Sequence, residues 1–343
     1  MDPEPLPVPE PASPRRRFPS WLPQALGYSL SLACLIWVLH DYPLGRIGGE
    51  IRGLAWGWVT LGVAADLLTY VAHAWRWNTL LSPVARLKLW RTTQAIYIGI
   101  FANEVLPLRP GEIIRCYLVA HWNNLRVSVG FASAAVERLI DGFWMIAAFI
   151  VTASFVRGIP KNLVFLVQGV GVLIVLGAAI LFWVVLRRQE AHSVVKESKW
   201  SATLRHVVEG LHLMGNPRTL IATAFISLLY LVLQFVTVWA LIKAANFDYS
   251  FWVASGIITL VRFAVVVPNA PGNLGVFQAA CVLALQLFDA EENDAKGFAF
   301  VMWFALTMPL LIGGAVATAL TGLNLKQLRE RAHRGTSSVQ AEP

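Results

Sequence analysis

The chain has 343 residues, of which 57% are hydrophobic and only 14% are charged. This apolar share lies far above that of an ordinary soluble domain, so the composition excludes that class and indicates a membrane protein. The net charge of +8 does not indicate nucleic-acid binding, because the basic residues lie in short loops and tails between apolar segments, as the positive-inside rule describes.

Six apolar segments are each long enough to cross the hydrocarbon core as a helix of roughly 20 residues. They are Trp21–Leu39, Leu54–Ala74, Val127–Phe155, Leu163–Leu186, Leu220–Ala244 and Phe298–Leu323. Residues 1–19 are rich in proline and predict a retained, disordered tail, and residues 326–343 form a basic C-terminal tail.

The distribution of basic residues predicts that both termini are cytoplasmic. With the N-terminus inside, far more lysines and arginines fall on the cytoplasmic side than on the outer side. The residues placed at the cytoplasmic face after the second span are Arg76, Arg86, Lys88 and Arg91.

Two further segments, Leu89–Arg126 and Phe251–Phe288, each hold two short apolar runs that are separated by proline and glycine. Each segment begins and ends on the same predicted side, so we predict two re-entrant helical hairpins; two short tilted spans are the alternative in each case. The order of two spans, a hairpin and a further span then occurs twice along the chain, and the second series starts from the opposite side of the membrane. The sequence therefore predicts an all-α polytopic membrane protein, residues 20–325, built as an inverted repeat with halves at about 20–156 and 162–325.

Nine ionisable side chains fall within the predicted membrane region, where each costs about 3 kcal/mol unless it is paired or hydrated. They are Asp66, Glu104, Arg109, Glu112, Arg115, Glu137, Arg138, Asp141 and Arg262. Spacing of three residues predicts that Glu112 pairs with both Arg109 and Arg115 on one helical face. Glu137 and Asp141 share one side of their helix, so one of them can pair with an arginine of the first hairpin.

Arg109 and Arg115 permit two interpretations. Guanidinium groups match phosphate oxygens, and Pro110 and Gly111 suit the first turn of a half-helix whose positive end would face an anionic head group. A lattice of buried ion pairs that only fixes the hairpin is the alternative. At the second break, the amides of Asn269 and Asn273 can bind head-group oxygens or satisfy exposed backbone.

The segments NEVLPLRPGEIIR, VERLID and PNAPGNLGVFQ resemble motifs of the flippase-like transmembrane family typified by the membrane region of lysylphosphatidylglycerol synthases. HAWRWNTLL, which contains Arg76, resembles an early element of that family. The sequence departs from the family at Pro110, where a small or aliphatic residue is usual, and at Gln278, where glutamate is frequent; the second departure argues against a proton-coupling role there. Together, the residues and the resemblance give these candidate substrate-binding positions: Asn103, Glu104, Arg109, Glu112, Arg115, Glu137, Arg138, Asp141, Arg262, Asn269 and Asn273.

The resemblance implies movement of an anionic, aminoacylated or polyisoprenyl-linked lipid between leaflets of a bacterial or archaeal cytoplasmic membrane. We expect no cofactor, no metal and no enzymatic activity, because no catalytic motif and no metal-ligand spacing is found in the sequence. The expected partner is a membrane lipid or a lipid-linked substrate. A separate lipid-modifying enzyme and a second copy of this chain are further partners that the sequence leaves undecided. An intramembrane transferase, with Glu112 or Asp141 as the base, and an accessory subunit are the alternative functions.

Overall fold

A computed structural model describes residues 22–43, 45–106, 109–155, 216–267 and 269–322, together with a few positions between 165 and 177. Every regular element in these ranges is helical, as the composition and periodicity predicted. The helices are α1 (Leu22–Leu39), α2 (Arg46–Arg52), α3 (Trp56–Leu81), α4 (Leu89–Val105), α5 (Gly111–Trp122), α6 (Val127–Phe155), α7 (Pro217–Ala244), α8 (Phe251–Ala264), the 3₁₀ helix η1 (Pro271–Asn273), α9 (Val276–Gln286) and α10 (Glu292–Leu320).

Several helices begin where the sequence supplies a cap or a proline. The Asn216 side chain accepts a hydrogen bond from a backbone amide in the first turn of α7, and Pro217 occupies its first position. Ser250 caps α8 in the same way. Helix α5 begins at Gly111, directly after Pro110, which confirms the predicted start of the second arm of the first hairpin.

The predicted spans coincide closely with α1, α6 and α7, and each predicted hairpin contains two helices with a break between them. Helix α3 continues to Leu81 instead of ending at Ala74, and α10 begins six residues earlier than predicted, at Glu292. Helix α2 was not predicted. The predicted span 163–186, apart from a few helical positions, and both predicted tails lie outside the described residues.

Helices α7 and α10 are long and apolar enough to cross a membrane, and α1 and α8 contain shorter apolar helical stretches. The number of spans and the re-entrant character of the two hairpins stay predictions.

The longest interface in the described part of the chain joins α3 and α7, which lie antiparallel. The backbone amide of Ala55, just before α3, donates to the carbonyl of Ala244 at the end of α7, over 2.9 Å. Towards the other end of α3, the His73 ring lies 5.4 Å from the ring of Tyr230 at the middle of α7. The two helices therefore run side by side over most of their length.

The remaining helices pack on this pair in a pattern that occurs twice. Helix α4 packs on α3, and α8 packs on α7. Each first arm also reaches across to the last helix of the other half, so that α4 contacts α10 and α8 contacts α6. The second arms pack on the following helix, α5 on α6 and α9 on α10. The described helices bury two apolar clusters: one is built mainly from α7, α8, α9 and α10, and the other mainly from α3, α4, α5 and α6.

The first hairpin is closed by a contact between two glycines. A Cβ atom added to Gly111 would collide with the carbonyl oxygen of Gly99 on α4 and with the Asn103 side chain. The Oδ1 atom of Asn103 accepts a hydrogen bond from the Gly111 amide over 2.6 Å, so an α4 side chain satisfies a free amide at the start of α5. Gly111 is required here because its missing side chain permits this close approach.

We expect Gly111→Ala to lower the free energy of unfolding by about 1–3 kcal/mol, because a methyl group forced into a filled space must displace backbone or side chains. Thermal unfolding in detergent measures the effect. The control is Gly57→Ala, since a Cβ at Gly57 meets nothing within 4 Å and alanine suits a helix better than glycine. Equal Tm values for the two variants would contradict the close crossing of α4 and α5.

Candidate functional site

Three arginines and three carboxylates converge between α3, α5 and α6. We call this group the charge cluster, and its members are Arg76, Glu112, Arg115, Glu137, Arg138 and Asp141. The formal charges of the group cancel. This balance reduces the cost of placing six charged groups in an apolar protein, since each charge has an opposite one in contact.

Glu137 lies at the centre of the charge cluster and is completely buried. Its Oε1 atom accepts a hydrogen bond from Arg76 Nε over 3.3 Å, and its Oε2 atom accepts one from Arg115 Nη2 over 3.0 Å. The pairing of this helix face with an arginine of the first hairpin is therefore confirmed. Because the two arginines belong to α3 and α5, one carboxylate on α6 joins three helices.

Arg115 uses all three guanidinium nitrogens within the protein. Its Nε atom donates to Glu112 Oε2 over 2.9 Å, which confirms the predicted pairing of these two residues. Its Nη1 atom lies 2.8 Å from His73 Nε2. Because a guanidinium group only donates, the His73 nitrogen accepts, and a neutral imidazole fits this contact. The guanidinium carbon also lies 4.7 Å from the ring centroid of Trp77. In this conformation Arg115 is only 2% exposed and holds helices together.

The placement of Arg76 at the cytoplasmic face was wrong. Arg76 lies inside α3, is only 1% exposed, and forms an ion pair with Asp141 as well as with Glu137. Its guanidinium carbon is 4.7 Å from the ring centroid of Tyr230 on α7. The sequence did hold a signal, because no proline or glycine interrupts the chain between the predicted end of the span at Ala74 and Leu81.

The charge cluster reaches the protein surface at one edge. There the Arg138 and Glu112 side chains form an ion pair, and they are 58% and 41% exposed. Asp141 is 17% exposed. The cluster is therefore buried around Glu137 and open at Glu112 and Arg138.

The two helix breaks meet each other beside this cluster. Arg109 adopts a left-handed backbone conformation with φ of 51°, and its Nη1 atom donates to the carbonyl of Val265 in the second break over 2.9 Å. The predicted pairing of Arg109 with Glu112 is thus replaced by a bond between the two hairpins. Gly272 of the second break lies against the Glu104 side chain at the end of α4.

Several buried polar atoms around this meeting point have no hydrogen-bond partner among the residues that the structure describes. We call the residues that carry them the tip group. The atoms are Asp66 Oδ2, Glu104 Oε2, Arg262 Nε, Asn269 Oδ1 and Asn273 Oδ1. They come from α3, α4, α8 and the second break. Buried polar groups without a partner are rare in proteins, and five of the ten residues that carry such atoms in the described ranges belong to this group, which makes it a place suited to a polar ligand or to water.

Other contacts hold the second break in position. The Ser31 hydroxyl of α1 accepts a hydrogen bond from the Ala270 amide over 2.8 Å, and the Trp303 ring nitrogen donates to the Gly272 carbonyl over 2.7 Å. The Oε1 atom of Gln278 accepts from the Gly275 amide over 2.7 Å. A glutamate would supply the same acceptor, so the departure from the family at Gln278 preserves this contact.

The structure divides the predicted site residues into three sets. The first set belongs to the charge cluster and contains Glu112, Arg115, Glu137, Arg138 and Asp141, to which the structure adds Arg76. The sequence did not predict that His73, Trp77 and Tyr230 contact this cluster. The second set belongs to the tip group and contains Glu104, Arg262, Asn269 and Asn273, to which the structure adds Asp66. Asn103 caps α5, and Arg109 links the two breaks.

Comparison with known proteins identifies the family. A family model described as the lysylphosphatidylglycerol synthase TM region matches residues 24–314. The chain belongs to this family. The matched residues include both hairpins, the charge cluster and the tip group. The resemblance to the lysylphosphatidylglycerol synthase TM family that the motifs indicated is therefore confirmed.

Two curated proteins share sequence with this family member. The chain is 26% identical over 232 residues to the UPF0104 membrane protein MJ1078 of Methanocaldococcus jannaschii, covering 66% of this chain and 96% of that protein. It is 24% identical over 306 residues to the glycosyltransferase AglD of Haloferax volcanii, covering 76% of this chain and 48% of that protein. The aligned region thus spans about half of the second relative. No solved structure gives a significant match.

We expect Glu137→Gln to destabilise the protein by about 3–5 kcal/mol, because it leaves Arg76 and Arg115 buried with one carboxylate fewer. Unfolding in detergent measures this loss. As a control, Asp294→Asn breaks the half-exposed ion pair with Arg46 and should cost about 1 kcal/mol or less.

The double variant Arg115→Gln/Glu137→Gln tests whether charge balance is the reason. It restores neutrality and keeps the Arg76–Asp141 and Arg138–Glu112 pairs, so its destabilisation should fall short of the sum of the single variants by about 1 kcal/mol or more. Strict additivity would show that the charges do not act as one group.

Proposed function

We propose that this protein is a lipid flippase or facilitator, which moves an anionic, aminoacylated or polyisoprenyl-linked lipid between the leaflets of the cytoplasmic membrane. The observation that carries the proposal is the meeting of two helix breaks beside buried polar atoms that lack partners. In membrane proteins, broken helices and polar side chains at depth are characteristic of transport pathways.

The proposed membrane arrangement has six spans and two re-entrant hairpins in inverted halves. The antiparallel packing of α3 and α7 supports it, as does the repetition of the helix contacts in the two halves. The ends of the first hairpin also lie together, since Arg91 at the start of α4 contacts the ring of Trp122 at the end of α5. Such a hairpin would place its tip at depth and both ends at one face.

The tip group has the chemistry that a lipid head group requires. The free Nε atom of Arg262 can donate to a phosphate oxygen, and the amide oxygens of Asn269 and Asn273 can accept from hydroxyl or ammonium groups. The free Oε2 atom of Glu104 can accept from the ammonium group of an aminoacylated lipid. We assign head-group binding to these residues and the adjacent Arg109.

The charge cluster would then support the site and line its entrance. Arg76, Arg115 and Glu137 fix α5 against α3 and α6, so they act as positioning residues for the first break. The exposed pair of Glu112 and Arg138 lies next to that break on α5 and α6, where a charged head group can exchange contacts with both side chains. Rocking of the two halves would expose the tip group to each leaflet in turn.

A second candidate function is that of an accessory membrane component in a glycolipid pathway. The observation that favours it is the similarity of most of this chain to about half of a protein named as a glycosyltransferase. An intramembrane transferase with Glu112 or Asp141 as base receives less support, because both carboxylates are already engaged in ion pairs with arginines.

Cysteine labelling tests the proposed topology. We expect Arg91→Cys and Arg126→Cys to react from the same side of sealed vesicles, and Asp248→Cys and Glu291→Cys to react from the other, when a membrane-impermeant maleimide is used. The unaltered protein, which retains Cys34, Cys116 and Cys281, supplies the background. Reaction of Arg91→Cys and Arg126→Cys from opposite sides would refute a re-entrant first hairpin.

Reconstitution in liposomes tests transport. Leaflet exchange of a fluorescent anionic lipid, followed by dithionite quenching, should become at least tenfold slower in Arg262→Gln and Glu104→Gln, since each removes a charged contact worth about 1.5–3 kcal/mol. The lipid extract is checked for new products in the same experiment.

The matched control for this assay is Arg46→Gln, which alters a partly exposed ion pair far from the tip group. It should exchange lipid at the rate of the unaltered protein. Unchanged exchange in both tip variants would contradict the assigned site, a new lipid product would favour a transferase, and the absence of both exchange and product in the unaltered protein would favour the accessory role.

A further inference from the structure

A separate polar cavity lies at the base of the first hairpin, at the opposite end from the helix break. Its volume is about 330 Å³, and it is lined by Arg86, Lys88, Arg91, Trp122 and Asn123. These residues come from the connection between α3 and α4, the first turn of α4 and the end of α5. The cavity therefore lies between the open ends of the two arms.

The basic residues of this cavity are not neutralised by any carboxylate in the part of the chain that the structure describes. No carboxylate within the described ranges forms an ion pair with Arg86, Lys88 or Arg91, whereas every arginine of the charge cluster has one. Arg91 instead places its guanidinium carbon 5.6 Å from the ring centroid of Trp122. Three like charges around one cavity repel each other, so an anion bound among them would be strongly favoured.

The surroundings of the cavity indicate which anion it would meet. Leu89 and Trp90, in the same first turn of α4, are 42% and 64% exposed, as expected for side chains that face lipid at the membrane boundary. Basic residues near an anionic leaflet attract lipid head groups, with about 1 kcal/mol contributed by each. A free phosphate would gain the same ionic contacts but none with this apolar margin.

We propose that this cavity binds the phosphate-bearing head group of an anionic membrane lipid, which clamps the ends of α4 and α5 together. The bound phosphate contacts basic side chains before and within α4, while the Trp122 ring of α5 packs on one of them. The lipid thus stabilises the closed base of the hairpin. This role is separate from transport, because the cavity lies away from the tip group.

Thermal unfolding in a neutral detergent, with phosphatidylglycerol added in steps, tests the proposal. We expect Tm to rise with the anionic lipid and to change little with phosphatidylcholine or with inorganic phosphate. In Arg86→Gln/Arg91→Gln the apparent affinity for phosphatidylglycerol should fall about thirtyfold, which corresponds to about 2 kcal/mol for two basic residues.

The control is Arg52→Gln/Arg218→Gln, which removes the same charge from exposed residues outside the cavity and should leave the affinity unchanged. A second variant, Arg86→Lys/Arg91→Lys, keeps both charges and should retain binding even if the glutamine pair lowers the Tm of the lipid-free protein. Equal losses in the cavity and control pairs, the absence of a Tm rise, or an equal rise with inorganic phosphate would each overturn the proposal.

Discussion

A buried carboxylate between two buried guanidinium groups is the constraint on which the rest of the arrangement depends. Glu137 receives hydrogen bonds from Arg76 on one oxygen and from Arg115 on the other, and so ties α6 to α3 and α5. Removing any one of these groups would leave an uncompensated charge in an apolar interior, which is far more costly than losing a surface pair. The first helix break is positioned by this requirement, because Arg115 lies one turn after Gly111.

The charge cluster and the tip group differ in how far their hydrogen-bonding capacity is used. In the cluster, charges cancel and guanidinium nitrogens are engaged by carboxylates, an imidazole and aromatic rings. In the tip group, buried oxygen and nitrogen atoms of Glu104, Arg262 and Asn273 have no partner within the described ranges. A charge-balanced, paired cluster beside a group with unused donors and acceptors agrees with the proposed division between support and head-group binding.

The sequence predicted the helices, the two breaks and most of the ionic groups, because apolar length and proline or glycine punctuation act locally. It predicted the pairing of Glu112 with Arg115, but it did not predict the partners of Arg76 and Arg109. Arg76 was misplaced since a hydropathy window ends at a charged residue even when the helix continues, and only the tertiary contact with Glu137 brings that charge inside. Arg109 was paired with Glu112 by helical spacing, but its left-handed backbone removes it from that helix face and brings it to Val265.

The two hairpins are fastened by different parts of the chain. The first is closed internally, since Asn103 on α4 caps α5 across the Gly99–Gly111 contact. The second is bonded to α1 through Ser31 and Ala270, and Gly275 lies so close to the Ser31 backbone that no larger residue would fit. Mechanically, the two hairpins are therefore unequal: the first is anchored to α3 and α6 through the buried contacts of Arg115, whereas displacement of the second must carry α1 along or break its attachment.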